Sequence, residues 1–204
     1  SALPRKITGG KMKKLTQELS EALYDSGHIK KEDISVCRYG FDVFLASFLE
    51  IMSVVILSAF VGNFIDTLLY FLAFIPLRLY AGGYHADTKL RCYDVLLLNY
   101  AAFTFLLHMP ERFMICFDIL VPPISLAMVF FFSPVGHKNK HLNEKEKAFY
   151  RKIAIYIALI YAALTVLSGI LFKTSTHPLA FALGILSVVF SMAAGLIKNL
   201  RTKS

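Results

Sequence analysis

Leu77-Arg78-Leu79-Tyr80-Ala81-Gly82-Gly83-Tyr84-His85-Ala86-Asp87-Thr88-Lys89-Leu90-Arg91-Cys92 is a polar island between two apolar runs. It holds a basic residue, a glycine pair, a histidine and a cysteine. A thiol becomes a nucleophile when a base or a cation sits beside it, and an imidazole can be that base. The flanking runs, Phe64 to Leu77 and Val95 to Met109, place this chemistry at a membrane face.

Whether the stretch is one rod or two helices decides what it can do. Arg78, His85 and Cys92 are evenly spaced, and on an unbroken helix each pair would lie about 10.5 Å apart along the axis. That exceeds hydrogen-bond reach for a thiol and an imidazole. Gly82-Gly83 can end the first helix in a conformation other residues resist. Asp87 or Thr88 then caps a new helix that carries Cys92 near its start, and His85 folds back from the turn. Amides at that helix N-terminus, with Lys89 and Arg91, favour a thiolate. The reading is a Cys92 nucleophile served by His85 as general base and then general acid, with Asp87 or Asp94 as weak candidates to orient the imidazole.

The composition further out fits a membrane setting. Of 204 residues, 56% are hydrophobic, above the roughly 45–50% of soluble domains, and mean hydropathy is +0.58. The apolar residues fall in six blocks: Val43 to Phe60, Phe64 to Leu77, Val95 to Met109, Phe113 to Phe132, Ile153 to Phe172 and Leu179 to Ile197. An all-α polytopic membrane protein with six transmembrane helices is predicted. Gly62-Asn63 predicts a tight turn between the first two blocks. Residues 12–40 precede the membrane domain at 41–204, and 1–11 read as a cloning remnant ahead of a natural start at Met12. Leu15, Leu19, Ala22 and Leu23 make an apolar stripe at helical spacing. It predicts an amphipathic helix ended by Gly27, lying in the membrane interface or packed on the protein's inner face. No cleavable signal peptide is expected.

The net charge of +8 is explained by orientation rather than by nucleic-acid binding. With the N-terminus inside, every Lys and Arg falls on the inner side except Arg112 and Lys173. Both termini and the Cys92 stretch then face the cytoplasm. The second and third blocks are short. Fourteen residues span about 21 Å against a hydrocarbon core near 30 Å. Their helices must therefore continue into the motif, or the motif must dip below the interface.

The remaining polar residues are weighed the same way. Cys37, Cys92 and Cys116 show neither disulfide nor metal-ligand spacing, so no metal or cofactor is expected. Glu50 lies mid-span, where ionisable groups are costly, and is a candidate substrate-binding residue or a partner of Arg78. Asp118 is expected at a helix interface, on a helix kinked by Pro122-Pro123. Cys116 reads as a small apolar packer and Cys37 as structural. The lysines from Lys138 to Lys152 form an inner loop, and Lys138 and Lys140 are candidates to dock an acidic peptide tail.

The pattern Arg78, Gly82-Gly83, Tyr84-His85 and Cys92 resembles the signature of the AgrB family, membrane cysteine endopeptidases of Gram-positive quorum sensing. The likeness covers most of the chain, including Lys138-Asn139-Lys140-His141-Leu142, where His141 replaces a usual proline. The resemblance implies cleavage of a small amphipathic AgrD-like pro-peptide, with Cys92 attacking, His85 moving the proton, and Arg78 and Gly83 supporting the site. The acyl-enzyme is then captured by the peptide's own Cys or Ser, closing a thiolactone or lactone. It also implies a homodimer among membrane lipids. The alternative is a non-enzymatic transporter or scaffold with Glu50 and Asp118 on its pathway, against which the lack of an internal repeat argues.

Overall fold

Seven α-helices account for nearly all of the described chain: α1 (Ile7–Asp25), α2 (Ile34–Val61), α3 (Phe64–Ala81), α4 (Lys89–Leu107), α5 (Glu111–Phe132), α6 (Glu144–Leu171) and α7 (His177–Arg201). The structure is a computed structural model and describes residues 7–84, 89–136, 143–171 and 176–201. The fold is all-α, as the apolar blocks predict. The chain divides into two units, Ser1–Ser53 and Val54–Ser204, with the boundary inside α2.

In the first unit, α1 begins at Ile7, ahead of Met12. Its end is a Schellman closure: Gly27 has φ +75°, His28 N–H donates to the Leu23 carbonyl at 3.1 Å, and Gly27 N–H to that of Tyr24 at 2.9 Å. The face of α1 that packs is polar. Thr16 and Ser20 are fully buried, and the Thr16 hydroxyl donates to Asp42 of α2 at 2.9 Å. Leu15 and Leu19, from the apolar stripe, remain exposed.

The second unit is built around α7, which packs on α3, α5, α6 and α4. Small residues let it be central. A Cβ on Gly184 would come 2.6 Å from the Tyr70 carbonyl oxygen and 2.9 Å from the Ala73 methyl of α3, so only glycine admits this approach. On α6, Ala154, Ala158, Ala162 and Thr165 are all buried, a stripe of small residues one turn apart. Tyr161 of α6 donates its hydroxyl to the Leu72 carbonyl of α3 at 2.6 Å. Asp118 of α5 lies at the interface with α6, its Oδ2 3.9 Å from where a Cβ on Gly169 would stand. The α-helix runs through Pro122 and Pro123.

Among the described residues, five segments are long and apolar enough to cross a membrane: Lys31–Val61, Phe64–Ala81, Phe113–Phe132, Glu144–Leu171 and His177–Arg201. The surface agrees, with Phe60 85% exposed and Leu98 and Phe131 70%. The third block forms α4, which has 19 residues to the 18 of α3 but is not among those five; its first two turns carry Lys89, Arg91 and Asp94. The short second block is resolved by extension, since α3 continues four residues past Leu77 to Ala81. The turn at Gly62-Asn63 is present, with Gly62 at φ +87° and Asn63 N–H donating to the Ser58 carbonyl at 3.2 Å.

Candidate active site

The predicted break in the polar island is real. α3 ends at Ala81, Gly82 follows at φ +74° and Gly83 at φ +133°, and α4 starts at Lys89. No single rod joins Arg78 to Cys92. Both glycines are also needed for space. A Cβ on Gly82 would overlap the Val135 carbonyl, and one on Gly83 would overlap the Arg78 guanidinium and come within 2.9 Å of the Ser191 carbonyl.

The chain leaving α3 is threaded between α7 and the segment after α5. Val135 N–H donates to the Ala81 carbonyl at 2.9 Å, and Tyr84 N–H donates to the Ser191 carbonyl of α7 at 2.7 Å. Gly195, one turn further along α7, leaves room for this passage: a Cβ there would meet the Gly83 carbonyl carbon and the Tyr84 nitrogen at 2.8 Å each. Lys198 lies over the Tyr84 ring, its Nζ 5.1 Å from the centroid. Asn199 donates from Nδ2 to the Gly136 carbonyl at 2.9 Å.

Arg78, on the last turn of α3, is half-buried beneath this crossing. Its Nη2 donates to the Tyr84 carbonyl, and its buried Nη1 has no hydrogen-bond partner among the described residues. Arg78 also interacts electrostatically with Cys92. Cys92 stands in the first turn of α4 with an exposed thiol, at the positive end of that helix. His85 itself, with Asp87 and Thr88, lies outside the described residues, as do Lys138 and Lys140. Glu50 belongs to the first unit; it is half-buried on α2, and its carbonyl accepts the Ser53 hydroxyl at 2.7 Å.

Ser191, Gly195, Lys198 and Asn199 of α7, with Val135, border the motif and were not singled out from the sequence. One signal was present: Gly184 and Gly195 are eleven residues apart, about three helical turns, so they share a face along which backbone can approach.

Five described helices long and apolar enough to cross a membrane, in an all-α fold, define a multi-pass helical membrane protein. The chain belongs to the AgrB family, Accessory gene regulator B, whose match covers residues 12–192. That membership ties it to accessory gene regulator quorum sensing. It is 28% identical over 181 residues to a protein of Clostridium perfringens (strain 13 / Type A) described as AgrB-like protein 2, covering 85% of this chain and 82% of the relative. A second AgrB-like protein, from strain SM101, is 25% identical over 165 residues, covering 78% and 77%. No solved structure is significantly similar.

Proposed function

We propose that this protein is a membrane-embedded cysteine endopeptidase that removes the C-terminal tail of an AgrD-like precursor peptide. The observation that carries the reading is the break at Gly82-Gly83, which ends α3 and lets α4 begin anew before Cys92, with Arg78 holding the Tyr84 carbonyl one bond from His85. A fixed cation favours the thiolate, the form that attacks.

In this scheme Cys92 Sγ attacks the scissile carbonyl, the C–N bond breaks, and His85 passes its proton to the departing amine. The thioester left on Cys92 is attacked by an upstream Cys or Ser of the peptide. That nucleophile loses its proton to His85, a thiolactone or lactone ring closes, and the Cys92 thiolate is released. A thioester survives for this transfer only where water is scarce, so the exposed Cys92 must be covered by the bound precursor while the ring closes.

The same reading makes α4 a sixth span, α1 an interfacial helix, and the inner leaflet the side that holds both termini and Cys92. Lys138 and Lys140 dock the acidic tail, Glu50 contacts the peptide, and two copies form a homodimer. The test is cleavage of the precursor by purified protein in lipid vesicles. Cys92→Ala and His85→Ala abolish cleavage while Cys37→Ala and Cys116→Ala retain it; full cleavage by Cys92→Ala would remove the enzyme reading.

A further inference from the structure

Helix α4 is packed mainly through its second half. Tyr100, Phe103 and Leu107 are buried there, with the Tyr100 hydroxyl donating to Asn63 at 2.9 Å and the Phe103 ring 4.7 Å from that of Tyr70 in α3. None of residues 91–99, the stretch that carries Cys92, is buried. Asn99 stands two turns along from Cys92, so the two share a side of the helix about 10.5 Å apart. The Asn99 Nδ2 donates to the Val95 carbonyl of its own helix at 2.9 Å, and its carboxamide oxygen accepts no hydrogen bond among the described residues. Val95, 42% exposed, lies between them, and the exposed Ala102 follows Asn99 by three residues. Cys92, Val95, Asn99 and Ala102 thus form one open strip beside the face that packs.

An unmet amide oxygen on a membrane helix is costly, and an N–H brought alongside satisfies it. A second copy of this chain laid along the strip would cover the Cys92 thiol, which the precursor must reach. A peptide whose scissile carbonyl meets Cys92 instead follows the strip as it stands. We propose that Asn99 is a substrate-binding residue of the Cys92 site, its Oδ1 accepting a backbone N–H of the precursor about three residues before the scissile bond. The offset follows from the spacing, since about 10.5 Å is three residues of extended chain at roughly 3.3–3.6 Å each. The side that becomes the acyl group reaches Asn99, because α4 runs from Cys92 into the membrane while a charged tail stays at its face. This inference rests on the Cys92 peptidase reading and adds where the precursor lies on it.

The test is kcat/KM for release of the tail from a synthetic AgrD-like precursor, measured on the full chain in lipid vesicles. Asn99→Leu lowers it about three- to tenfold, the weight of one hydrogen bond. With the wild-type protein, N-methylation of one backbone amide among the second to fourth residues before the scissile bond lowers it by a similar factor. At that position Asn99→Leu adds no further loss, as expected when both changes remove the same bond. Losses that multiply at all three positions overturn the proposal, as does an unchanged kcat/KM in Asn99→Leu. Multiplying losses together with a monomeric Asn99→Leu would assign the strip to a second copy instead. Ala102→Phe tests the strip without touching Asn99: it crowds the path and lowers kcat/KM about fivefold or more, whereas Ala101→Phe, exposed on another side of α4, does not. Equal values in these two variants also overturn the proposal. Cys92→Ala separates the two levels. If it cleaves as the wild type does, the peptidase reading falls and this proposal with it. If it is inactive while Asn99→Leu is unimpaired, only the role of Asn99 falls.

Discussion

Gly83 and Arg78 occupy the same few ångströms, and each explains the other. A Cβ on Gly83 would overlap the guanidinium, and φ +133° is strained for any L side chain. Gly83→Ala is expected to lower the thermal unfolding midpoint in detergent, reflecting a loss of about 1–3 kcal/mol. It should also impair precursor cleavage, because the arginine cannot keep its seat. Arg78→Lys keeps the charge but loses the planar fork that reaches the Tyr84 carbonyl with one nitrogen while burying the other beside Gly83. Cleavage should fall about tenfold or more, the weight of a charge-assisted hydrogen bond, with little change in unfolding. A lysine variant of wild-type activity would remove Arg78 from the site.

At the scale of elements, α7 carries the arrangement, and its glycines mark where. Gly184→Ala forces a methyl to within 2.6 Å of the Tyr70 carbonyl and should destabilise the protein by about 1–3 kcal/mol, seen as a lower unfolding midpoint. Gly40 of α2 is the control: nothing lies within 4 Å of a Cβ there, so Gly40→Ala should be neutral or stabilise by up to about 1 kcal/mol. Equal responses would mean that the α3–α7 approach does not depend on glycine. The helices themselves were legible in the sequence because apolar blocks and Gly turns are local signals. Gly27, Gly62 and Gly82 end helices where their spacing predicts. The ends of α3 and α4 were less legible, since helical backbone continues into polar residues that hydropathy assigns to loops. The partners of the motif were hidden for another reason. Tyr84 meets Ser191 and Lys198 across more than a hundred residues, and nothing local encodes that distance.

For the molecule as a whole, polar contacts hold both ends of the α3–α7 pair. At the end opposite Arg78, Asp66 of α3 accepts from the Thr176 hydroxyl at 2.7 Å and pairs with His177 Nδ1 at 2.7 Å. Nearby, the Asn63 carboxamide accepts from Tyr100 at 2.9 Å and donates to Thr104 at 3.2 Å, bringing in α4. Asp66→Ala removes the acceptor of both bonds and should cost about 1–3 kcal/mol of stability, with Asp66→Asn less harmful because one acceptor survives. Thermal unfolding in detergent ranks the two, and an unchanged midpoint in Asp66→Ala would show that this end is not a fastening. Such a clamp fastens the end of the α3–α7 pair opposite the contacts of Arg78 and Tyr84.

The central claim, that Cys92 carries the peptide as a thioester, is tested most directly by trapping that species. Protein is mixed with a precursor whose ring-closing Cys or Ser is replaced by Ala, quenched in acid, and digested for mass spectrometry. The account predicts the N-terminal fragment of the precursor attached at Cys92, released by hydroxylamine and missing from Cys92→Ala. Cleavage of the precursor with Cys92 unmodified, or with the fragment attached to another residue, would contradict it.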